Sequence, residues 1–383
     1  MKPFLAAVAT LVGATVGAGV LGIPYVVSQS GFWTGMAVIV ALGIATLILN
    51  LYMGEVVLRT EGNHQISGYA EKYTGKPGKL LAGAFMIFGI YGALVAYMIG
   101  IGNAAAAALG GNHILYSLAF LAIGSLVVIR GIKSLGLAEL LITSLMVAVV
   151  MLIPLFSASN LQITNLHGWD TQKLMVPFGV VLFAFMGSAA IPEMREELGR
   201  NRKQLRKAII IGTLIPLVIY ILFAAVVVGL VGDGFSSLKE DERIATIALK
   251  LFVQPEIALL ANLFAVITMT TSFMALAYAL RGTLQYDFKA NKKAAIAATL
   301  LVPLAIFLID ALAADITSFI GILGTVGAVT GGVTGILIVA MHWKAAKSKG
   351  RKPEFSLKPN IAIAAALILI FAAGIINELR HFL

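Results

Sequence analysis

The sequence predicts an all-α polytopic membrane protein made of two inverted repeats of five transmembrane helices, with one extra helix at the C-terminus. Three observations predict this fold: a very apolar composition, eleven separate apolar runs, and helix-breaking residues at matching places in two of the runs. Of the 383 residues, 60% are hydrophobic and 12% are charged, and the mean hydropathy is +0.96. A soluble domain carries about 25% charged residues, so we expect no soluble domain.

Each apolar run is long enough to cross a bilayer, which takes about 20 residues. We predict eleven transmembrane helices, at 3–28, 32–58, 80–109, 112–130, 134–158, 173–195, 207–232, 255–284, 293–311, 315–342 and 360–380. They form a first five-helix repeat over 1–158, a second over 173–342 and an eleventh helix within 360–383. Because five is odd, the second repeat starts on the opposite side of the membrane and is inverted.

The distribution of lysine and arginine predicts the orientation of the chain. With the N-terminus placed in the cytoplasm, 23 of the 28 basic residues fall in cytoplasmic connections. Basic residues accumulate on that side of membrane proteins. We therefore expect a multi-pass cell membrane protein with a cytoplasmic N-terminus and an external C-terminus. The same rule explains the net charge of +10 without a nucleic acid partner.

The polar residue inventory argues against an enzyme. The chain has no cysteine, which excludes disulfides and cysteine-ligated metals. Its five histidines are scattered without metal-ligand spacing, and no phosphate-binding loop is present. No catalytic residues or cofactors are predicted.

Two connections are long enough to have structure of their own. Residues 60–79 lie on the predicted cytoplasmic side and suggest an amphipathic surface helix. Residues 233–254 lie on the predicted outer side. They are either a hairpin that caps an outer vestibule or a solvated loop.

The stretch GATVGAGVLGIPY, residues 13–25, interrupts the first apolar run with four glycines and a proline. Its GAGVLG segment matches a dinucleotide-binding fingerprint, but that motif needs a preceding strand and an acid about 20 residues on, and the first acid is Glu55. The spacing of Gly13 and Gly17 also fits close helix packing, which leaves Gly19, Gly22 and Pro24 unexplained. The remaining interpretation is a broken helix, because glycine costs a helix about 1 kcal/mol relative to alanine.

A broken first helix predicts a matching break in the second repeat. The sixth run supplies it in LFAFMGSAAIPEM, residues 182–194, with Gly187 lying 170 residues after Gly17. In secondary transporters such breaks form the binding site: freed N–H groups meet an anionic group and unwound carbonyls meet a cation. Helices 1 and 6 are thus predicted to be broken and functional.

The motifs resemble those of a known family. GAGVLGIPY is similar to the first-helix signature of the amino acid/auxin permease family and the related hydroxy and aromatic amino acid permeases. FAFMGSAAIPEMREEL resembles the sixth helix of the sodium-coupled neutral amino acid transporters. IYGALVAYMIGIG and TTSFMALAYAL are similar to third- and eighth-helix segments of aromatic amino acid permeases. The resemblance covers essentially the whole chain and implies the leucine-transporter-like fold of the amino acid–polyamine–organocation superfamily.

The resemblance also implies a substrate site. The substrate carboxylate would meet the N–H groups of Ala18 and Gly19, and the amine would meet carbonyls near Thr15 and from Phe183 to Phe185. Phe185 matches an aromatic gate position, with plain packing as the alternative, and Tyr97 matches a lining position, with an interhelical partner as the alternative. The implied substrate residues are Thr15, Gly17, Ala18, Gly19, Tyr97, Phe183, Phe185, Gly187 and Ser188, the last two bordering the side-chain pocket.

A sodium site between helices 1 and 8 is implied in the same way. Its ligands would be the carbonyls of Gly13, Val16 and Thr268 and the hydroxyls of Thr271 and Ser272. The alternative for the hydroxyls is bonding to carbonyls of their own helix.

Two departures from the family pattern bear on ion coupling. A second sodium site is expected to be missing, because Val20 stands where the leucine transporter has an asparagine. Proton-coupled relatives carry a lysine in the fifth helix, and no charged residue lies between Leu140 and Ser157. Sodium is therefore favoured over protons.

The leading hypothesis is a transporter of neutral amino acids, coupled to sodium by alternating access and acting as a monomer in the bilayer. One alternative is proton coupling or exchange, with a carboxylate such as Glu55 carrying the proton. A second is a sensor that binds an amino acid without moving it. Glu55, Glu139 and Glu193 lie near the predicted inner ends of their helices, and we expect them to close the inner gate against Arg195 or Lys133.

Overall fold

A computed structural model describes residues 3–62, 64–130, 160–286, 288–312, 318–348 and 351–380. These residues form helices joined by turns, and no strand occurs among them. The predicted fifth span at 134–158, with Glu139, lies outside the described residues, and so does Lys133.

The described helices follow the predicted spans closely. In chain order they are α1 (Pro3–Thr15), α2 (Ile23–Ser30), α3 (Phe32–Arg59), α4 (Ile66–Thr74), α5 (Lys76–Leu109), α6 (His113–Arg130), α7 (Phe178–Ala184), α8 (Ile191–Leu198), α9 (Leu205–Val231), α10 (Ala245–Ala248), α11 (Pro255–Tyr286), α12 (Lys292–Leu312), α13 (Phe319–Val326), α14 (Gly332–Lys347) and α15 (Ile361–Arg380). In the part of the chain described, 8 helices are long and apolar enough to cross a membrane, or up to 9 if the bent pair at the N-terminus is one span. The total of eleven stays a prediction.

The first predicted break is present between α1 and α2. Helix α1 ends at Thr15, Gly17 is extended with φ −127° and ψ −152°, and a 3₁₀ turn over Ala18–Gly22 leads into α2. The two halves meet at an angle of 43°. Pro24 lies in the first turn of α2, where proline costs no helical hydrogen bond.

The second predicted break lies between α7 and α8. Helix α7 ends at Ala184, Gly187 leaves the helical region with φ −122° and ψ −1°, and a 3₁₀ turn covers Ser188–Ala190. Pro192 lies in the first turn of α8. Both breaks therefore have the same construction, a glycine followed by a 3₁₀ turn and a proline-started half-helix.

A third interruption, not anticipated from the sequence, separates α13 from α14. Residues Gly327–Gly331 form a π-helical turn, a feature that often marks functional positions. Here α7 and α13 cross so closely that a Cβ on Gly179 would collide with the carbonyl of Gly324. The glycines within residues 321–335 are the sequence feature that accompanies this interruption, but their spacing also fits an ordinary close-packed helix.

The two long connections are both helical. Residues 66–74 form α4 as expected, and its Tyr69 and Ala70 are buried. The outer connection consists of short helical turns, so neither the hairpin nor the solvated loop is correct. Phe235 and Leu249 are buried, and the Arg243 guanidinium lies 5.1 Å from the ring centroid of Tyr25 on α2. This connection packs against α2, the second half of the first broken helix.

The periphery of the bundle is apolar, as a bilayer requires. Helices α12 and α15 bury only 28% and 22% of their most apolar stretches. Large side chains such as Ile309, Leu312 and Leu369 are exposed on them. The two breaks, in contrast, are carried by helices that pack against α3, α9 and α11 in the interior.

Replacing Gly19 by valine should disrupt the contact between the breaks. A Cβ at Gly19 would lie 2.7 Å from the Cα atom of Ala184, and overpacking of this kind costs about 1–3 kcal/mol. We expect a thermal midpoint several degrees lower for the purified variant. Gly124→Ala is the control, because its nearest neighbours would be 3.8 Å away. Equal midpoints for the two variants would contradict the close contact.

Candidate functional site

The two breaks lie against each other inside the bundle. A Cβ on Gly19 would touch Ala184 at 2.7 Å and the Phe183 ring at 3.0 Å. A Cβ on Gly187 would collide with the side-chain hydroxyl of Thr15. The residues predicted to bind substrate, Thr15 and Gly17 to Gly19 in one break and Phe183 to Ser188 in the other, therefore form one continuous patch.

Hydroxyl groups from three helices surround this patch. The hydroxyl of Tyr220 on α9 lies 2.8 Å from the carbonyl oxygen of Thr15 and 2.7 Å from that of Ala184. The Tyr97 side chain on α5 is buried and lies near the Ser272 side chain on α11. Ser272 in turn borders the first break, since a Cβ on Gly17 would be 3.3 Å from its Oγ atom. The side chain of Thr15 is buried with no hydrogen-bond partner in the described structure.

Aromatic rings form the wall next to these hydroxyls. Phe185 is fully buried and meets the Tyr220 ring edge-on, with centroids 5.0 Å apart and an interplanar angle of 64°. This arrangement is favourable for aromatic pairs. The predicted gate role of Phe185 and its alternative, packing, both remain open in this arrangement.

Ser188 is hydrogen-bonded to a residue of α3, and that residue is in turn hydrogen-bonded to one of α9. Sequence reasoning missed both of these residues. Its hydroxyl donates to the Asn50 Oδ1 atom at 2.7 Å, and the Asn50 amide donates to the Thr213 hydroxyl at 3.1 Å. Asn50 is 1% exposed. A polar side chain inside a membrane helix is a functional suspect, and that signal in α3 could have singled out Asn50.

The predicted ion ligands lie on α11 and at the end of α1. The Thr271 hydroxyl donates to the Thr268 carbonyl at 3.0 Å, and the Thr268 hydroxyl is buried without a partner among the described residues. Gly13 and Val16 lie on either side of Thr15, where α1 ends. No cluster of three or more histidine, aspartate or glutamate side chains suited to a metal occurs in the described ranges.

The predicted cytoplasmic end of the bundle holds a buried carboxylate, Glu55. Its oxygens accept from Arg59 Nε at 2.8 Å, Ser356 Oγ at 2.8 Å and the Leu357 N–H at 2.6 Å. His342 Nε2 lies 3.1 Å away and its ring stacks on Tyr52. The residues of this Glu55 cluster come from α3, α14 and the connection to α15.

Arg195 closes the same end in a different way from the predicted one. Its guanidinium donates to the carbonyls of Val57, Thr60 and Gly62, at 3.0, 3.2 and 2.7 Å. Arg195, which lies on α8, thereby caps the end of α3. Glu55 bonds instead to the other residues of the Glu55 cluster. Glu193 is exposed on α8. The predicted contact between Glu55 and Arg195 is therefore corrected. Each of the two side chains has its own hydrogen-bond partners at this end of α3.

Comparisons with known proteins agree with this geometry. The tryptophan/tyrosine permease family matches residues 1–381. Glutamine transporter 2 of Aliivibrio fischeri is 27% identical over 335 residues, covering 83% of each chain. Tyrosine-specific transport system 1 of Haemophilus influenzae is 26% identical over 377 residues, covering 93% of this chain and 92% of that one. The crystal structure of MhsT in complex with L-phenylalanine is similar with a TM-score of 0.69 and 12% identity, and each chain is covered to 98%.

The all-helical bundle with its two broken helices has the leucine-transporter-like fold, and the family match makes the chain a membrane transporter and not an enzyme. The chain belongs to the tryptophan/tyrosine permease family, and its substrate is an amino acid. The expected amino acid permease is thereby confirmed. Its narrower assignment to the amino acid/auxin permease family stays a prediction.

Replacing Glu55 by glutamine should destabilise the protein. The glutamine amide would point N–H groups at a cluster of donors and would leave Arg59 without its counter-charge. Breaking a buried ion pair such as that of Glu55 with Arg59 costs about 3 kcal/mol or more. We expect a thermal midpoint lower by several degrees in detergent. Glu71→Gln is the control, since its exposed pair with Lys79 is worth about 1 kcal/mol at most. A Glu55→Gln midpoint equal to that of the control would contradict this account of the cluster.

Proposed function

We propose that this chain imports a neutral amino acid with an aromatic side chain, driven by sodium through alternating access. The observation that carries the proposal is the meeting of two broken helices in a patch walled by Phe185 and Tyr220. A large flat side chain suits such a wall. The relatives named for tyrosine and glutamine and the neighbour solved with phenylalanine support neutral substrates.

Within the patch, the two ends of the substrate would meet different backbone groups. The N–H groups of Ala18 and Gly19 start a 3₁₀ turn at the first break, where a carboxylate is favoured by the free N–H groups of a helix start. The carbonyls of Thr15 and of Phe183 to Phe185 face the ammonium. Gly17 permits the close approach of Ser272, and Gly187 and Ser188 complete the second break. The side chains of the patch are uncharged, so a charged substrate side chain would lack a partner.

Sodium coupling rests on the oxygen atoms between α1 and α11. The proposed ligands are the carbonyls of Gly13, Val16 and Thr268 and the hydroxyls of Thr271 and Ser272. A hydroxyl that donates to a carbonyl, as Thr271 does, keeps its lone pairs for a cation. Unwound carbonyls at such a break are cation ligands in transporters of this kind.

Proton coupling through Glu55 is less well supported. Hydrogen bonds to the charged form stabilise a carboxylate, and the Glu55 oxygens accept from Arg59, Ser356 and the Leu357 N–H. The carboxylate is also fully buried. A carboxylate bound in this way is better suited to holding the helices together at the inner end than to taking up and releasing protons.

Uptake into proteoliposomes tests the proposal directly. We expect labelled tyrosine or tryptophan to accumulate with sodium outside, not with choline, and Thr271→Ala and Ser272→Ala each to reduce uptake about tenfold or more by removing an ion ligand. Thr283→Ala is the matched control. The Thr283 hydroxyl also donates to a carbonyl of its own helix, at 3.0 Å, but it lies near the C-terminal end of α11.

The other outcomes distinguish the alternatives. Uptake that follows a pH gradient and ignores sodium would contradict the sodium site and favour proton coupling. Binding without uptake under either gradient would favour the sensor. Competition by glutamine but not by aromatic amino acids would contradict the aromatic preference.

The proposed orientation places the N-terminus in the cytoplasm and the C-terminus outside, and the protein acts as a monomer. Because the chain has no cysteine, single cysteines report sidedness without a background. We expect Ser236→Cys, exposed in the outer connection, to react with a membrane-impermeant maleimide on intact cells. Lys76→Cys, exposed at the start of α5, should react only after lysis. The reverse pattern would overturn the orientation.

A further inference from the structure

The hydroxyl of Tyr220 lies where the first halves of two broken helices end. It is 2.8 Å from the carbonyl oxygen of Thr15, the last residue of α1, and 2.7 Å from that of Ala184, the last residue of α7. Tyr220 is fully buried and lies on the unbroken helix α9. One side chain thus contacts the ends of both half-helices.

Two converging helix ends make an electronegative place. The last carbonyls of a helix have no partner within it, and they carry the negative end of the helix dipole. Half-helix ends of this kind bind cations in transporters. The Thr15 carbonyl already accepts from the Gly17 N–H at 3.1 Å, whereas the buried Ala184 carbonyl needs a donor or a positive charge, because an unpaired buried polar group costs about 1–3 kcal/mol.

Two neighbouring side chains contribute no oxygen ligand to this place. The Phe185 ring meets the Tyr220 ring at 5.0 Å, and Val20, fully buried in the first break, offers no side-chain oxygen. The phenol supplies the donor in place of an ion. It has one hydrogen for two carbonyls, and each carbonyl has two lone pairs, so acceptor capacity remains for a second donor.

We infer that Tyr220 is a positioning residue that takes the place of a second cation between the two breaks and holds their carbonyls ready for the substrate ammonium. The inference rests on the proposed amino acid transport and adds a residue to that site. It requires that one coupling cation moves with each neutral substrate, because the position between the carbonyl ends is filled by the phenol.

Tyr220→Phe tests the inference, since it removes the oxygen and keeps the ring against Phe185. We expect KM for the amino acid to rise about tenfold or more, because a hydrogen-bonded charged group loses its placed acceptors, while the maximal rate changes less. Tyr91→Phe is the matched control: Tyr91 also donates to one backbone carbonyl, that of Ala298 at 3.2 Å, away from the breaks. Its KM should stay within about twofold of the wild type, as expected for a surface-type change.

A second measurement needs no variant and remains informative if Tyr220→Phe does not fold. The charge moved per amino acid, taken from reversal potentials in proteoliposomes, should be one for the wild type. A charge of two, or a KM for folded Tyr220→Phe equal to that of Tyr91→Phe, would overturn the inference while leaving amino acid transport intact. A wild type that moves no amino acid would instead contradict the proposed function itself.

Discussion

The constraint on which this structure depends is that backbone polar groups inside a bilayer must find partners within the protein. Both breaks release such groups, at Thr15 and at Ala184. The structure brings the two breaks together and supplies a hydroxyl, that of Tyr220, for both carbonyl ends. Gly19 permits this contact because the Cα atom of Ala184 occupies the place of its missing side chain. The candidate site is the direct product of this compensation.

Charge is concentrated away from the breaks. At the predicted cytoplasmic end, Glu55 joins α3 to α14 and to the connection before α15. Arg195 caps the end of α3 from α8. These two sets of contacts lie at one end of an interior whose named side chains are hydroxyls, an amide and aromatic rings. The uncharged side chains around the breaks fit the proposed neutral substrate.

The breaks were predictable because their cause is local. Glycine and proline act on the backbone where they stand, and the repeat of the pattern after 170 residues predicted the pairing of helices 1 and 6. Tyr220 and Asn50 were missed because their partners are remote: Tyr220 bonds residues 205 and 36 positions away, and Asn50 bonds Ser188 at a separation of 138. The π-helical turn at Gly327–Gly331 was missed for a related reason, since its glycines also fit a regular close-packed helix.

The sequence by itself determined the membrane class, the course of the described spans and the two broken helices, because apolar length and helix-breaking residues act locally. The patch to which Thr15, Gly19 and Phe185 belong was implied by the family resemblance. Only the tertiary structure decided which side chains satisfy the freed carbonyls, that Ser188 bonds Asn50, and that Glu55 pairs with Arg59 and His342 while Arg195 caps α3. A buried donor bonds whichever acceptor the packing brings within about 3 Å, and sequence spacing does not encode that distance between helices.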